Sequence, residues 1–530
     1  MKIKKYIFPA VAAALMCSGL ASCVKDLDVE NINPQQVSKY DDDAVFNKVY
    51  GNMVLTGQVG PAGSGDIEDI DEGFSSMVRQ IWNANELSTD EAKCIWGDAG
   101  IPEYNHNAWS DSHEMLRALY YRLYFGVTIS NFYLEQSTMA DRRAEVRFLR
   151  ALHYYYLMDL YGNVPFLTTV TSEKAPQAAR ADIFKYIESE LKAITEGSGS
   201  EVLMDAKQNS YGRADKVAAW MLLARMYLNA EVYTGTARWE DAKTYAEKVI
   251  NSAYKLCETP KNGYSPFRLL FMGDNDTNGA QNEIILPAMH DGELTQTWGG
   301  ALFVLASTVD EPILADCNLG TDQKWGGNHC PKQFVEKFFP NDDAPEGTMD
   351  DLTIAANDDR ALFYTKGRTS SISDESDFKS GYAYVKFNNT HADGTAPHHI
   401  SYVDIDFPMM RAAEAYLTFA EADARLNGGS CTADGLDKIK ALRKRANANT
   451  NLSKFTTEQI CDEWSREFAY EGMRRVTLVR FGKFGGQNKY KWEWMGGVKD
   501  GKSFDAHYNI FPIPASDLNA NENLKQNPGY

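Results

Sequence analysis

A mainly α-helical fold is predicted: a superhelix of tetratricopeptide-like helical hairpins supporting a second, irregular region with loops and short strands. Three observations predict it. Amphipathic stretches with apolar residues three and four apart recur in two blocks, about 41–250 and 408–485. Small residues stand where paired helices would cross, as in repeats that bury their apolar faces only against neighbours. Between the blocks the composition shifts to Gly, Asn, Asp and aromatics, the mark of loops carried on a scaffold. The 530 residues are 44 % hydrophobic and 12 % aromatic, ample for a large core and incompatible with a disordered or collagenous chain.

The chain opens with MKIKKYIFPAVAAALMCSGLASC: a basic start, an apolar run and then small residues, which reads as an export signal over 1–22. Leu20-Ala21-Ser22-Cys23 resembles the bacterial lipobox, so Cys23 is expected to be the lipidated first residue; a soluble secreted protein is the alternative. Residues 23–40 would form the tether, and 41–530 a single domain. Acyl chains contribute about 0.8 kcal/mol per buried methylene, which holds the body at a membrane while it stays in water. No later stretch approaches the roughly 20 apolar residues a spanning helix needs. The chain has 54 basic and 73 acidic residues, a net charge of −19. Such a surface repels phosphate backbones, excludes nucleic acid as a partner, and leaves membrane contact to the lipid.

The first strong helix is RAEVRFLRALHYYYLMDLY, from Arg143, where Leu149, Leu152, Tyr156 and Leu160 share a face and Gly162 stops it. Asp215–Asn229 and Trp239–Ile250 form a hairpin, with Ala218, Ala224, Ala242 and Ala246 at the crossing. Arg411–Leu426 and Gly435–Ala446 form another. Glu458–Arg475 reads as one further helix. The irregular glycine- and aromatic-rich parts, about 57–109 and 252–408, are where binding residues are expected.

Six cysteines remain beyond Cys17 and Cys23, none in a CxxC pair, so neither a zinc ribbon nor a thioredoxin-like site is indicated; Cys317 and Cys330 are near enough in sequence to pair. Gly496–Ser503 satisfies GxxxxGK[ST], but no buried strand precedes it and a proline-bearing stretch follows, so it reads as a chance match. HExxH and GxSxG are absent. A glycosidase needs only two carboxylates about 5 or 6.5–9.5 Å apart, which 73 acids leave open.

Asp274, Asp276, Asn278 and Gly279 follow the order that wraps oxygens around Ca²⁺, with Ile285 where a bidentate Glu belongs and Glu283 near enough to substitute. An Asn/Asp turn is the equal alternative, and any calcium would be structural, with no cofactor needed for activity. Trp82, Trp96 and Trp109 in the first irregular part, and Trp298 and Trp325 beside Gly pairs, offer flat faces to the C–H faces of sugar rings. A given Trp more often packs in a core. Those beside Gly pairs sit at turns.

Together the lipobox, RAEVRFLRALHYYYLMDLYGNVPF, GRADKVAAWMLLARMYLNAEVYTG, EFAYEGMRRVTLVRFGKF and FPIPASDLNANENLKQNPGY resemble the SusD-like (RagB/SusD) family of Bacteroidota surface glycan-binding lipoproteins, over essentially the whole mature chain. Lys25-Asp26 resembles the signal that sends such lipoproteins to the outer face of the outer membrane. The resemblance implies binding without catalysis: capture of starch or malto-oligosaccharide and delivery to a SusC-like TonB-dependent outer-membrane transporter. Carried over from the starch-binding member, DEGFSSMVR selects Asp71 and Arg79. ELSTDEAKCIWGDAGIP selects Trp96, with Asp98 about where that member has Asn. HDGELTQTWGG places Trp298 where it has Tyr, and LGTDQKWGG selects Trp325. An α-glucan is the first expectation. The departures at 98 and 298 keep dextran or another glucan as the alternative, and a glycoside hydrolase a weaker one.

Overall fold

In the computed structural model the described residues are 40–63 and 65–530. The expected signal, the lipidation at Cys23 and the tether up to residue 39 lie outside them. The chain divides into Met1–Ala44 and Val45–Tyr530, and every helix and strand after Gly51 belongs to the second unit.

The principal helices pack mainly against their neighbours in the chain. α1 is Asp42–Gly51, and α2 (Met77–Trp82) runs into a π-helical turn, Asn83–Leu87. α3 (Glu114–Gln136) and α4 (Ala140–Tyr161) form the first long pair. They approach so closely that a Cβ on Gly126 of α3 would fall 2.1 Å from His153 Nε2 of α4. α4 stops before Gly162, at φ +73°, as the Gly-Asn-x-Pro signal predicts. α5 is Arg180–Glu196. α6 (Lys216–Leu228) starts at Asp215, whose carboxylate accepts the amides of Val217 and Ala218, and α7 is Trp239–Ile250. α6 and α7 pack against each other and, with Ala242 and Ala246 fully buried, against a later helix.

In the segment between the helical blocks the apolar runs resolve differently. EIILPAM gives a strand, while LFVLAS gives α8 (Gly300–Ala306). Among the described residues eight strands form four antiparallel pairs: β1 (Lys93–Cys94) with β5 (Asn328–His329), β2 (Val164–Pro165) with β3 (Gln177–Ala178), β4 (Ile284–Ala288) with β8 (Phe407–Arg411), and β6 (Phe363–Tyr364) with β7 (Ala383–Tyr384). α9 (Ala412–Leu426) and α10 (Ala433–Arg445) complete the second hairpin.

The single helix expected over 458–475 is two. α11 (Thr457–Phe468) ends, the backbone turns left-handed at Tyr470 (φ +65°) and Gly472 (φ +75°), and α12 (Arg474–Arg480) begins. The buried Glu86 carboxylate drives the break: its Oε1 accepts the amides of Gly472 and Met473 at 2.6 and 3.1 Å, satisfying donors at the new helix start.

Buried ion pairs clamp the irregular segment to the helices. Arg411 donates to Glu471 at 2.8 Å, to Glu283 at 3.0 Å and to Glu467 at 2.7 Å, all fully buried. Arg445 joins Glu283 and Glu467, Arg360 joins Glu463 and Glu467, and Lys386 joins Glu471. Cys317 and Cys330 are not bridged: both are free thiols, Cys330 buried against the Tyr470 hydroxyl and Cys317 beside Met349. The P-loop-like stretch begins in a short 3₁₀ turn, Met495–Gly497, and the next helical element is another short 3₁₀ turn, Ala506–Asn509, in place of the long helix that would cradle phosphate. Among the described residues no helix is long and apolar enough to cross a membrane.

Candidate functional site

The start of α2 is where the first irregular part meets the second. Ser76, its N-cap, accepts the amide of Arg79 at 3.3 Å and that of Gly300 at 3.4 Å. Only glycine fits at 299, because a Cβ there would lie 2.0 Å from Ser76 Oγ. Across this crossing Arg79 Nη1 donates to the carbonyls of Gly73 (3.0 Å) and Trp298 (3.5 Å), and its guanidinium lies 4.5 Å from the centroid of the Phe303 ring on α8. Burial lowers the Arg79 pKa to about 10, against the opposing pull of Cys94, Asp98 and Asp71. Asp71 is exposed on the same loop, with Oδ1 accepting the Gly73 amide at 2.7 Å.

Trp96 is placed by a ladder. Lys93 pairs with His329 and Cys94 with Asn328, and the Ile95 amide then donates to Gly327 at 3.0 Å, which sets the next side chain on the Trp325–Gly327 turn. Its Nε1 donates to Gly326 O at 3.2 Å, and a Cβ on Gly327 would strike its ring at 2.4 Å. Trp325 is held by its amide to Ala306 O and by Nε1 to Gln323 Oε1, each at 2.9 Å.

These rings form one continuous row. Centroids are 6.4 Å apart between Trp96 and Trp325, 6.2 Å between Trp325 and Trp298, and 5.1 Å between Trp298 and Tyr402, with planes inclined by 50°, 55° and 47°. All four are half-buried. Behind the row stand Phe303, 6.2 Å from Trp96, then buried Trp82 and Tyr470. The structure therefore gathers Trp96, Trp298, Trp325 and Arg79. Asp71 flanks them through Gly73, where a Cβ would come within 3.9 Å of Trp298. Asp98 is exposed two residues past Trp96, and its carboxylate acts on Arg79 only through charge.

Two of the tryptophans in the first irregular part are core residues: Trp82 and Trp109 are buried, with Nε1 bound to the Tyr470 carbonyl and the Tyr530 hydroxyl. Tyr402 escaped the sequence reading because no Gly pair flags it. The available signal was a lone aromatic closing the turn-rich stretch HADGTAPHHISY. Asp404 fixes that stretch: its Oδ2 is hydrogen-bonded to His391 at 2.9 Å and accepts the His398 amide at 2.9 Å.

In the acidic loop Asp274 is buried, with Oδ1 accepting Asn278 Nδ2 at 3.0 Å and Oδ2 taking no protein hydrogen bond. Asn278 also donates to Leu269 O and accepts the Ala280 amide, while Asp276 is exposed. Glu283, the carboxylate expected to complete a calcium loop, is committed to Arg411 and Arg445 and to the Cys257 amide. Among the described residues no group of three His, Cys, Asp or Glu is gathered to hold a metal.

Two family models match the chain: one described as starch-binding associating with outer membrane over residues 26–228, and one described as the SusD family over 319–530. The chain is 40 % identical, over all of both sequences, to the starch-binding protein SusD of Bacteroides thetaiotaomicron. A SusD-like protein of Bacteroides fragilis superposes with a TM-score of 0.67 at 19 % identity, covering 92 % of this chain and 97 % of its own. A laminarin-binding SusD-like protein gives 0.63 at 21 %, covering 92 % and 99 %. These two support the fold.

Proposed function

Since this chain belongs to the SusD family, we propose that it captures starch or malto-oligosaccharide at the outer surface of the cell and hands it to a SusC-like TonB-dependent transporter. The observation that carries the reading is the continuous row Trp96, Trp325, Trp298, flanked by Arg79, Asp71 and Asp98. Indole faces suit the C–H faces of glucose, and the flanking charged groups suit its hydroxyls. The full-length identity to a starch-binding protein favours an α-glucan; Trp298 and Asp98 leave dextran or another glucan as the alternative. Cys23 would be the lipidated residue holding the chain to the outer membrane, with Val24–Tyr40 as tether.

The test is affinity electrophoresis of residues 24–530 through gels containing starch, dextran, levan or β-glucan. Retardation by starch alone, with no reducing ends released on long incubation, is the expected result. Retardation by a different polymer moves the specificity, none removes the binding reading, and released reducing ends make the protein a hydrolase.

The loop of Asp274, Asp276 and Asn278 is proposed to hold a structural Ca²⁺. Asp274 Oδ2, buried without a donor, supports this, since such an oxygen is satisfied by a cation or an ordered water. Calcium at a hundred times its Kd is expected to add about 2.7 kcal/mol of stability, read as a higher melting temperature than in EDTA. Identical melting curves would leave the Asn/Asp turn as the whole account.

A further inference from the structure

Away from the ring row, a cavity of about 240 Å³ opens between α3, α4, the segment 165–175 and the C-terminal residues 515–521. Tyr120, Tyr121 and Tyr124 of α3 and Tyr154 of α4 line it, with Leu167 and Val170. The tyrosine hydroxyls are already committed: Tyr120 donates to Asp517 at 2.6 Å, Tyr124 to Pro165 O at 2.7 Å and Tyr154 to Leu167 O at 2.6 Å, while Tyr121 is 2.6 Å from Ser516 Oγ. Asn131 is likewise spent, donating to Leu167 O and accepting from Arg150. What remains to a visitor is mainly ring faces and aliphatic carbon held rigid from behind, with Thr128, Thr169, Thr171 and Asp517 as the polar part of the lining. That suits an apolar side chain and poorly suits a sugar, which would leave its hydroxyls unpaired.

The surroundings narrow the visitor further. Val170 is 47 % exposed, and Phe132, one turn beyond the lining residue Thr128, is 40 % exposed. Glu135 stands at the mouth, its carboxylate accepting the Val170 amide at 2.7 Å, and Asp517 lies inside. Next to Asn521 of the lining, Glu522 is paired with Lys174 at 3.5 Å and adds no net charge, which leaves Glu135 and Asp517 as the acids of the rim. This acidic rim favours basic residues on either side of an apolar anchor.

The position of the cleft supplies the partner. Arg117 of α3 donates to Asp69 O at 3.4 Å, two residues from Asp71. Tyr121 and Thr128 continue the same helix stripe, so the cleft begins one turn, about 6 Å, along α3 from Arg117, the residue that touches the loop bearing Asp71. A body receiving glycan from that site would cover the cleft too. We propose that the tyrosine cleft docks an apolar side chain, flanked by Lys or Arg, from an extracellular loop of the transporter that takes the glycan. This rests on the proposed delivery role.

The experiment is co-purification of the full chain with its co-expressed transporter. The wild type is expected to bring the transporter down, while Thr128→Arg and Val170→Glu, both changes at exposed positions, lower its recovery about tenfold or more. Melting temperature and maltoheptaose affinity should stay unchanged. Undiminished recovery with both variants would overturn the proposal with delivery intact. So would a change of sedimentation mass or of maltoheptaose binding, which would give the cleft to a second copy or to glycan. A wild type that brings down no transporter would take away the delivery reading and the cleft's occupant together.

Discussion

Trp325→Ala is expected to weaken maltoheptaose binding by about 2 kcal/mol or more, close to thirtyfold, and to leave the melting temperature nearly unchanged. Trp325 is the middle ring, 6.4 Å from Trp96 and 6.2 Å from Trp298, so its loss removes one sugar platform and the lateral support of two others. Trp96→Ala, at the end of the row, should cost more than about 1 kcal/mol. Titration calorimetry with maltose beside maltoheptaose reads both effects. Equal affinity of the wild type for the two sugars, or a Trp325→Ala variant within a factor of about two of wild type, would end the idea of an extended aromatic platform.

Arg411→Met is expected to cost about 3–5 kcal/mol of folding stability, the scale for leaving buried carboxylates without their partner. Arg411 bonds Glu283, Glu467 and Glu471 in a fully buried cluster, and the three cations left there cannot reproduce its fork. Urea unfolding checks this; a change below about 1 kcal/mol would mean the cluster is replaceable by apolar packing. Acid should act on the same cluster. Burial by itself would raise the Glu467 carboxyl, but Arg445, Arg411 and Arg360 outweigh it and hold the pKa at about 2. The folded value therefore lies below the unfolded one, the contribution is complete above about pH 4.5, and it is lost as pH falls toward 2.

Helix ends set by near neighbours were legible in the sequence: the Gly162 stop of α4 and the full extent of α7 follow from local pattern alone. Trp298 and Trp325 were legible because glycine pairs beside them mark turns, and Trp96 and Arg79 through the family resemblance. Features made by distant partners were not. The break between α11 and α12 depends on Glu86, nearly four hundred residues earlier, and helical periodicity over 458–475 carries no trace of it. Glu283 reads as a calcium ligand beside an acidic loop until the fold brings Arg411 and Arg445 to it. Tyr402 is a different case: Asp404 ties its loop to His391 and to the His398 amide, contacts within one loop that leave no periodic pattern.

The inclination of the rings has a consequence for selectivity. Neighbouring planes in the row differ by 47° to 55°, so a flat ribbon such as a β-1,4-linked chain can rest on one face at a time and must lift from the next. A chain that turns as it grows can present successive residues to successive faces. The protein would then sort polymers by their winding, and glucose units of identical composition would be accepted or refused according to the path that their linkages impose.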